Sequence, residues 1–164
     1  MKNPDTDLDR IDARILMSLQ ADSAQAVADL AEAVGLSANA CWRRVKRLEE
    51  LGVIRGRVAL LDPAKIGLGV TVFVSVRTNE HNEDWLRQFA EAVAQIPEVV
   101  EFYRMSGDID YLLKVVVADI AHYDRVYKRL IKSVKLTDVS SSFAMEQMKY
   151  TTALPVTASG GGDR

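Results

Sequence analysis

The spacing of apolar residues changes once along the chain, near residue 67, and the change divides it into two parts. Leu8, Ile11, Ile15, Leu16 and Leu19 recur at steps of three and four, the single stripe of an amphipathic helix. Val27, Leu30, Ala31 and Val34 repeat the pattern over about two turns, and Gly35 falls where a left-handed C-terminal cap is expected. Ser37 is placed to cap a third helix, with Cys41, Val45 and Leu48 as its buried stripe and Gly52 as its end. Val53 to Leu61 is extended in character and reads as either a wing or a connector, closed by a turn at Asp62-Pro63. Beyond it Val70, Val72, Val74 and Val76 alternate with Thr71, Phe73 and Ser75, the period of two that means strand. Trp85, Phe89, Val93 and Ile96 mark a helix, Val99 to Met105 and Tyr111 to Val117 a hairpin, Ile120, Tyr123, Tyr127 and Leu130 a second helix, and Val139 to Met145 a fourth strand.

The second part therefore has the order βαββαβ. With right-handed crossovers this gives a four-stranded antiparallel sheet with both helices on one face, a ferredoxin-like arrangement, and an α+β fold overall. The strands are apolar on both sides: Phe73 opposes the valines of its strand, and Leu112 and Val116 oppose Leu113, Val115 and Val117. An uncovered apolar face predicts an interface, so a homodimer packed sheet against sheet is expected. The expected boundaries are 7–54 for a three-helix domain, 55–66 for the connector, 67–155 for the ferredoxin-like domain and 156–164 for a disordered tail.

Charge sharpens the reading of the first part. The whole chain carries a net charge of -2, which by itself argues against a nucleic-acid binder. Residues 1–36, however, carry three basic and seven acidic side chains, and residues 37–57 six basic and two acidic ones. At 100° per residue Asn39, Arg43, Lys46 and Glu50 fall near the side of the third helix opposite Cys41, with Arg47 beside them and Trp42 and Arg44 on the flanks. Three helices with a short glycine-containing turn before the last outline a helix-turn-helix. A plain three-helix bundle shares that outline but has no need of a basic outer face.

The remaining chemistry is sparse. One cysteine, Cys41, excludes an internal disulfide, and two histidines, His81 and His122, lack metal-ligand spacing. The first residues do not resemble a secretory signal, and no apolar run approaches the ~20 residues of a membrane helix, so a cytoplasmic location and no membrane partner are expected. No nucleophile, metal set or phosphate-binding glycine loop accompanies Asp108 and Asp110, so neither an enzyme nor a cofactor is expected. Cys41 reads as core rather than as a redox sensor, and Trp42 reads as packing or as a base contact.

Several segments together carry a resemblance: Leu8-Asp9-Arg10-Ile11-Asp12-Ala13-Arg14-Ile15-Leu16, Val34-Gly35-Leu36-Ser37, Arg44-Val45-Lys46-Arg47-Leu48-Glu49-Glu50-Leu51-Gly52-Val53-Ile54, Leu61-Asp62-Pro63 and Gly107-Asp108-Ile109-Asp110-Tyr111-Leu112-Leu113. In this order they resemble the Lrp/AsnC family of leucine-responsive, or feast/famine, transcriptional regulators over residues 7–155. The resemblance implies an N-terminal helix-turn-helix, a connector strand at Arg55 to Leu61, an amino-acid-sensing domain of ferredoxin-like fold, and dimers assembling into tetramers or octamers, with effector bound at contacts between sensing domains. Cys41-Trp42-Arg43-Arg44, Arg57 to Pro63 and Ser141 to Thr152 are similar to the DecR-type, L-cysteine-responsive branch. Two departures are visible: Ala26 stands where the family usually has a Ser or Thr helix cap, and Val134-Lys135-Leu136-Thr137 where it usually has Pro-Gly.

The candidate DNA-binding residues are Ser37, Asn39, Arg43, Arg44, Lys46 and Arg47. Ser37 and Asn39 open the recognition helix, Arg43 is placed to read a guanine, and Lys46 and Arg47 to meet phosphates. Arg44 reads as a phosphate contact or as a flank salt bridge to the acidic first helix. The candidate effector residues are Tyr103, Met105, Gly107, Asp108, Asp110, Ser140, Ser141 and Ser142. Asp108 or Asp110 can pair with an α-ammonium group, and backbone N–H groups and the hydroxyls of Ser140, Ser141 or Ser142 can receive an α-carboxylate; the resemblance favours Asp110. Ile120, Phe143 and Ala144 are further candidates to shape the pocket. A glycine-aspartate hairpin loop is otherwise only a turn. Three functions follow in decreasing fit: an amino-acid-responsive regulator bound to double-stranded DNA, an architectural DNA-binding protein with little effector control, and a stand-alone amino-acid-binding or metabolic protein.

Overall fold

Among the described residues five α-helices and four strands follow one another in the expected order, with a 3-10 turn at Ala64–Ile66 before the first strand: α1 (Arg10–Ala21), α2 (Val27–Val34), α3 (Ala38–Glu50), β1 (Val70–Arg77), α4 (Glu83–Ala94), β2 (Val99–Arg104), β3 (Tyr111–Val117), α5 (Ile120–Ser133) and β4 (Asp138–Phe143). This computed structural model describes residues 7–80, 82–133 and 136–158. The chain forms two units, one from the residues up to Ala59 together with those from Lys149 onward, the other Leu60–Met148.

In the helical unit each start and stop has a local cause. Asp9 caps α1 by accepting from the backbone N–H groups of Ile11 and Asp12, while Asp12 reaches back to the Asp9 N–H, a capping box built from two aspartates. Gly35, at φ 74°, closes α2 in the left-handed conformation that a residue with a Cβ adopts only at a cost. The Ser37 hydroxyl accepts from the Ala40 N–H at 3.3 Å. The core is Ile15, Leu16, Leu30, Ala31, Val34, Cys41, Val45 and Leu48, the three predicted stripes facing one another. Ala26 opens α2 with no side-chain hydrogen bond. Ala26→Ser is therefore expected to stabilise the protein by about 1 kcal/mol, read as a higher urea midpoint at unchanged m-value.

The second unit has strand order β2-β3-β1-β4, all neighbours antiparallel. Val72, Val74 and Val76 of β1 and Leu113, Val115 and Val117 of β3 are fully buried against Trp85, Phe89 and Val93 of α4 and Tyr123, Val126 and Leu130 of α5. Tyr111 and Phe102 extend an aromatic cluster around Phe89, with ring centroids 5.0 to 5.6 Å apart. The opposite face differs from expectation. Phe73, Leu112 and Val116 lie there beside Thr71, Ser75, Glu101, Lys114 and Tyr103. Glu101 accepts from Lys114 Nζ and from the Tyr103 hydroxyl, each at 2.8 Å, and Lys114 stands opposite Phe73 between Leu112 and Val116, so this face carries the expected apolar residues interleaved with polar ones and is not a continuous apolar sheet.

Two boundaries also differ. Within the chain, residues 55–62 pair with no strand, and Val58, Leu60 and Leu61 are exposed, so the connector is extended but is not a strand of this sheet. The end of the chain, expected to stay with the sheet to residue 155 and to be disordered from 156, joins the helical unit from Lys149 onward. The Gln20 side chain donates to the Leu154 carbonyl at 3.1 Å and accepts from the Leu154 N–H at 2.6 Å, and Val156 packs on the helical core. Residues 159–164 of the predicted tail, the Val134-Lys135 part of the departure before β4, and His81 lie outside the described residues.

Candidate functional site

Two separate groups of residues make up the predicted sites, one on each unit. On α3, Ser37 and Asn39 at the start of the helix, and Arg43 and Lys46 further along, are all exposed. Trp42, expected either to pack or to contact a base, is half exposed, and Cys41 is fully buried, which pushes its thiol pKa up. Lys46 pairs with Glu49 one turn on at 3.2 Å, an exposed contact of small energy. Among the described residues Arg43 makes no ion pair.

Arg44 and Arg47 are placed differently from the outward phosphate contacts expected of them. Arg44 Nη1 donates to Asp9 Oδ2 at 2.6 Å and to Asp12 Oδ1 at 2.8 Å, the flank salt bridge that was its alternative reading. Arg47 Nη1 donates to Asp12 Oδ2 at 3.1 Å, and its Nη2 to the Asp7 carbonyl at 3.3 Å. The physical reason is burial: Asp12 is 1% exposed, and a carboxylate removed from water must find donors within the protein. Both guanidinium groups are long enough to turn back and supply them. Asp9 and Asp12 are the residues that sequence reasoning passed over; their signal was the Asp-x-x-Asp box just before an apolar stripe, opposite a basic helix.

The Asp9 carboxyl is held below its ordinary pKa, first by the Asp12 backbone N–H and further by Arg44, against a desolvation that would raise it. A carboxyl depressed on folding adds stability that is present above its unfolded pKa and lost as pH falls through the folded one. Stability is therefore expected to fall as pH drops below about 4. Urea midpoints measured between pH 7 and pH 3 check this, and Asp9→Asn should make the fall shallower.

The effector candidates form two clusters. The loop after β2 is closed by the Met105 N–H on the Asp110 carbonyl at 2.8 Å and turns at Gly107, with φ 122°. It is tied to the end of β1: the Asp110 N–H donates to the Val76 carbonyl at 3.0 Å, Asp110 Oδ2 accepts from the Thr78 N–H at 2.8 Å, and Arg77 Nε donates to the Asp108 carbonyl at 2.7 Å. Thr78, which sequence reasoning missed, is 3% exposed. Tyr103 and Met105, on and just after β2, are exposed.

The three serines do not converge on that loop. Ser140 and Ser142 pair with Ser75 and Phe73 on the sheet face away from the helices. Ser141 points to the helices and hydrogen-bonds the Tyr123 hydroxyl, whose pKa burial raises. Ile120, Tyr123, Asp124, Tyr127, Val139 and Ser141 line a shallow cavity of about 270 Å³, and Phe143 stacks edge-on against Tyr123 with centroids 5.2 Å apart. Asp110 is bonded beside Val76, and Val76 lies beside Val139, so the loop and β4 are two strand spacings apart, about 10 Å. Asp110 and the three serines therefore lie on separate parts of the sheet, and Asp110 and Ser141 are each hydrogen-bonded within the chain.

Comparison with known proteins places both groups. The AsnC-type helix-turn-helix domain matches residues 8–49, and the Lrp/AsnC ligand binding domain matches residues 71–154. The chain is 58% identical over 149 residues to a glutamate uptake regulatory protein of Zymomonas mobilis subsp. mobilis, covering 91% of each. It is 53% identical over 150 residues to the DNA-binding transcriptional activator DecR of Escherichia coli, covering 91% of this chain and 99% of the other. Among solved structures, an AsnC family transcriptional regulator from Agrobacterium tumefaciens superposes with a TM-score of 0.87 at 64% identity, covering 90% of this chain and 97% of that one. A transcriptional regulator from Neisseria meningitidis in complex with L-Met superposes with a TM-score of 0.85 at 35% identity, covering 90% and 96%.

Proposed function

The chain belongs to the Lrp/AsnC family, and from that premise we propose that this amino-acid-responsive helix-turn-helix transcriptional regulator senses L-cysteine and controls cysteine degradation and detoxification. The observation that carries the proposal is the 53% identity to DecR across 91% of the chain, together with the DecR-type segments at 41–44, 57–63 and 141–152. In this reading Ser37 and Asn39 approach base edges, Arg43 reads a guanine through its two acceptors, and Lys46 meets a phosphate. The working unit is a homodimer joined through the mixed sheet face, assembling further into a tetramer or octamer. The effector is held at contacts between sensing domains, where Asp110 meets its α-ammonium group and serine hydroxyls its α-carboxylate. A ligand that binds one assembly better than another shifts the population and with it the spacing of the DNA-reading helices.

The 58% identical relative is named for glutamate uptake, and this favours glutamate as the second reading. Fluorescence anisotropy of a labelled duplex from the protein's own upstream region tests both, at two salt concentrations and with L-cysteine, L-glutamate, L-leucine and L-methionine in parallel. The expected result is tight, salt-sensitive binding that L-cysteine alone alters. A response to L-glutamate alone favours the second reading, and indifference to every amino acid moves the architectural role ahead.

A further inference from the structure

Two arginines of the recognition helix, Arg44 and Arg47, donate to one buried carboxylate, that of Asp12. We infer that Asp12 is a positioning residue for DNA recognition: by holding Arg47 as an internal strut it decides how many cations of α3 are free to meet phosphates. The proposal rests on the DNA-binding reading and concerns which residues carry it.

The two arginines are not equivalent. Arg44 lies about 60° from Cys41 around α3, toward the buried stripe, and bridges Asp9 and Asp12 at 2.6 and 2.8 Å with its side chain 30% exposed. Its position is fixed from two sides. Arg47 lies about 120° round, at the edge of the outer face, with its side chain 45% exposed and a single 3.1 Å ion pair to Asp12. Its Nη2 reaches no farther than the Asp7 carbonyl. Nη1 and Nη2 are both engaged, by Asp12 and by the Asp7 carbonyl, so a phosphate has to compete for the end of the guanidinium that points outward. Asp12 holds the advantage because its carboxylate is buried, and leaving it short of donors is costly, whereas a phosphate lost to Arg47 stays hydrated. The outward cations of α3 are then Arg43 and Lys46, and the basic stripe seen in the sequence is wider than the surface DNA meets.

The test is the slope of the logarithm of the binding constant against the logarithm of salt concentration, which changes by about 0.9 for each phosphate neutralised. The protein, full length, is titrated onto the same upstream duplex as wild type, Arg47→Gln, Asp12→Asn and the double variant. Arg47→Gln is expected to leave the slope unchanged. Asp12→Asn is expected to steepen it by about 0.9 per protomer, which enlarges the loss of affinity between 50 and 200 mM salt by about 3.5-fold. The double variant should return to the wild-type slope. A fall of about 0.9 per protomer in Arg47→Gln alone would overturn the inference, because Arg47 would then already be on a phosphate. An unchanged slope in Asp12→Asn, or the same steepening with Arg47 absent, would overturn it too, the latter by reducing Asp12 to one negative charge near the DNA. Circular dichroism establishes that each variant is folded, and where Asp12→Asn is not, the Arg47→Gln slope decides. Failure of the wild type to bind the duplex is a separate result and removes the DNA reading itself.

Discussion

Arg43→Ala is expected to weaken binding to the specific duplex by about 5- to 150-fold while leaving the thermal midpoint unchanged. The magnitude is the 1–3 kcal/mol that a side chain reading a base through two hydrogen bonds contributes to discrimination. The absence of a stability effect follows from position: Arg43 is exposed, points away from the Cys41, Val45 and Leu48 stripe, and makes no ion pair among the described residues. Arg44→Ala should do the reverse in part. It strips the buried Asp12 of its shorter ion pair and should lower stability by about 1–3 kcal/mol. Anisotropy and thermal denaturation on the two variants separate the roles. If Arg43→Ala binds the specific duplex and a scrambled one as the wild type does, α3 does not read bases through this residue.

That contrast also marks how far the sequence was legible. Period located the α-helices and strands, because most of them bury one stripe or one face and the buried residues recur at 3.6 or at 2, whereas the 3-10 helix Ala64–Ile66, which buries nothing, had no such signal. Gly35 and Ser37 announced a stop and a start because the backbone demands particular residues at those places. Period does not say where a long side chain ends. Arg43 and Arg47 sit four residues apart on one face of the helix and look alike on a helical projection, yet one stays in solvent and the other turns toward α1, and the difference lies in Asp12, more than 30 residues away in the chain. The serines of β4 show the same limit. Three in a row are equal candidates by residue type, but successive residues of a strand face opposite ways, so Ser141 goes to Tyr123 and its neighbours to the other side of the sheet. The strand alternation that predicted the sheet already contained that division. The return of Leu154 and Val156 to the helical unit had no signal of this kind, since so short a segment interrupted by Pro155 establishes no period.

Asp110→Asn should fold like the wild type and bind its amino-acid effector about 10- to 150-fold more weakly, whereas Asp110→Ala should lose stability as well. Asp110 has two functions that the paired variants separate. Its Oδ2 accepts from the Thr78 N–H at 2.8 Å, and Thr78 is buried, so a change to alanine leaves a donor with neither protein nor water to satisfy it. An unmet buried donor costs about 1–3 kcal/mol. Asparagine keeps a carbonyl oxygen in that place and can preserve the bond, but it carries no charge. A charge-assisted hydrogen bond to an α-ammonium group contributes about 1.5–3 kcal/mol, the source of the expected loss of affinity. Titration calorimetry with L-cysteine and with L-glutamate, alongside thermal denaturation, reads the two effects independently. If Asp110→Asn binds effector as the wild type does while Asp110→Ala is destabilised, Asp110 only ties the loop to β1 and the ammonium contact must be sought elsewhere. If both variants fold and both lose the effector, the tie to Thr78 is dispensable and the charge is the reason the loop holds an aspartate there. The expected pattern, a folded asparagine variant that no longer responds, makes one carboxylate both the latch of the loop and the seat of the ligand. Binding of an amino acid would then act directly on the bond that holds the loop to the central strand of the sheet.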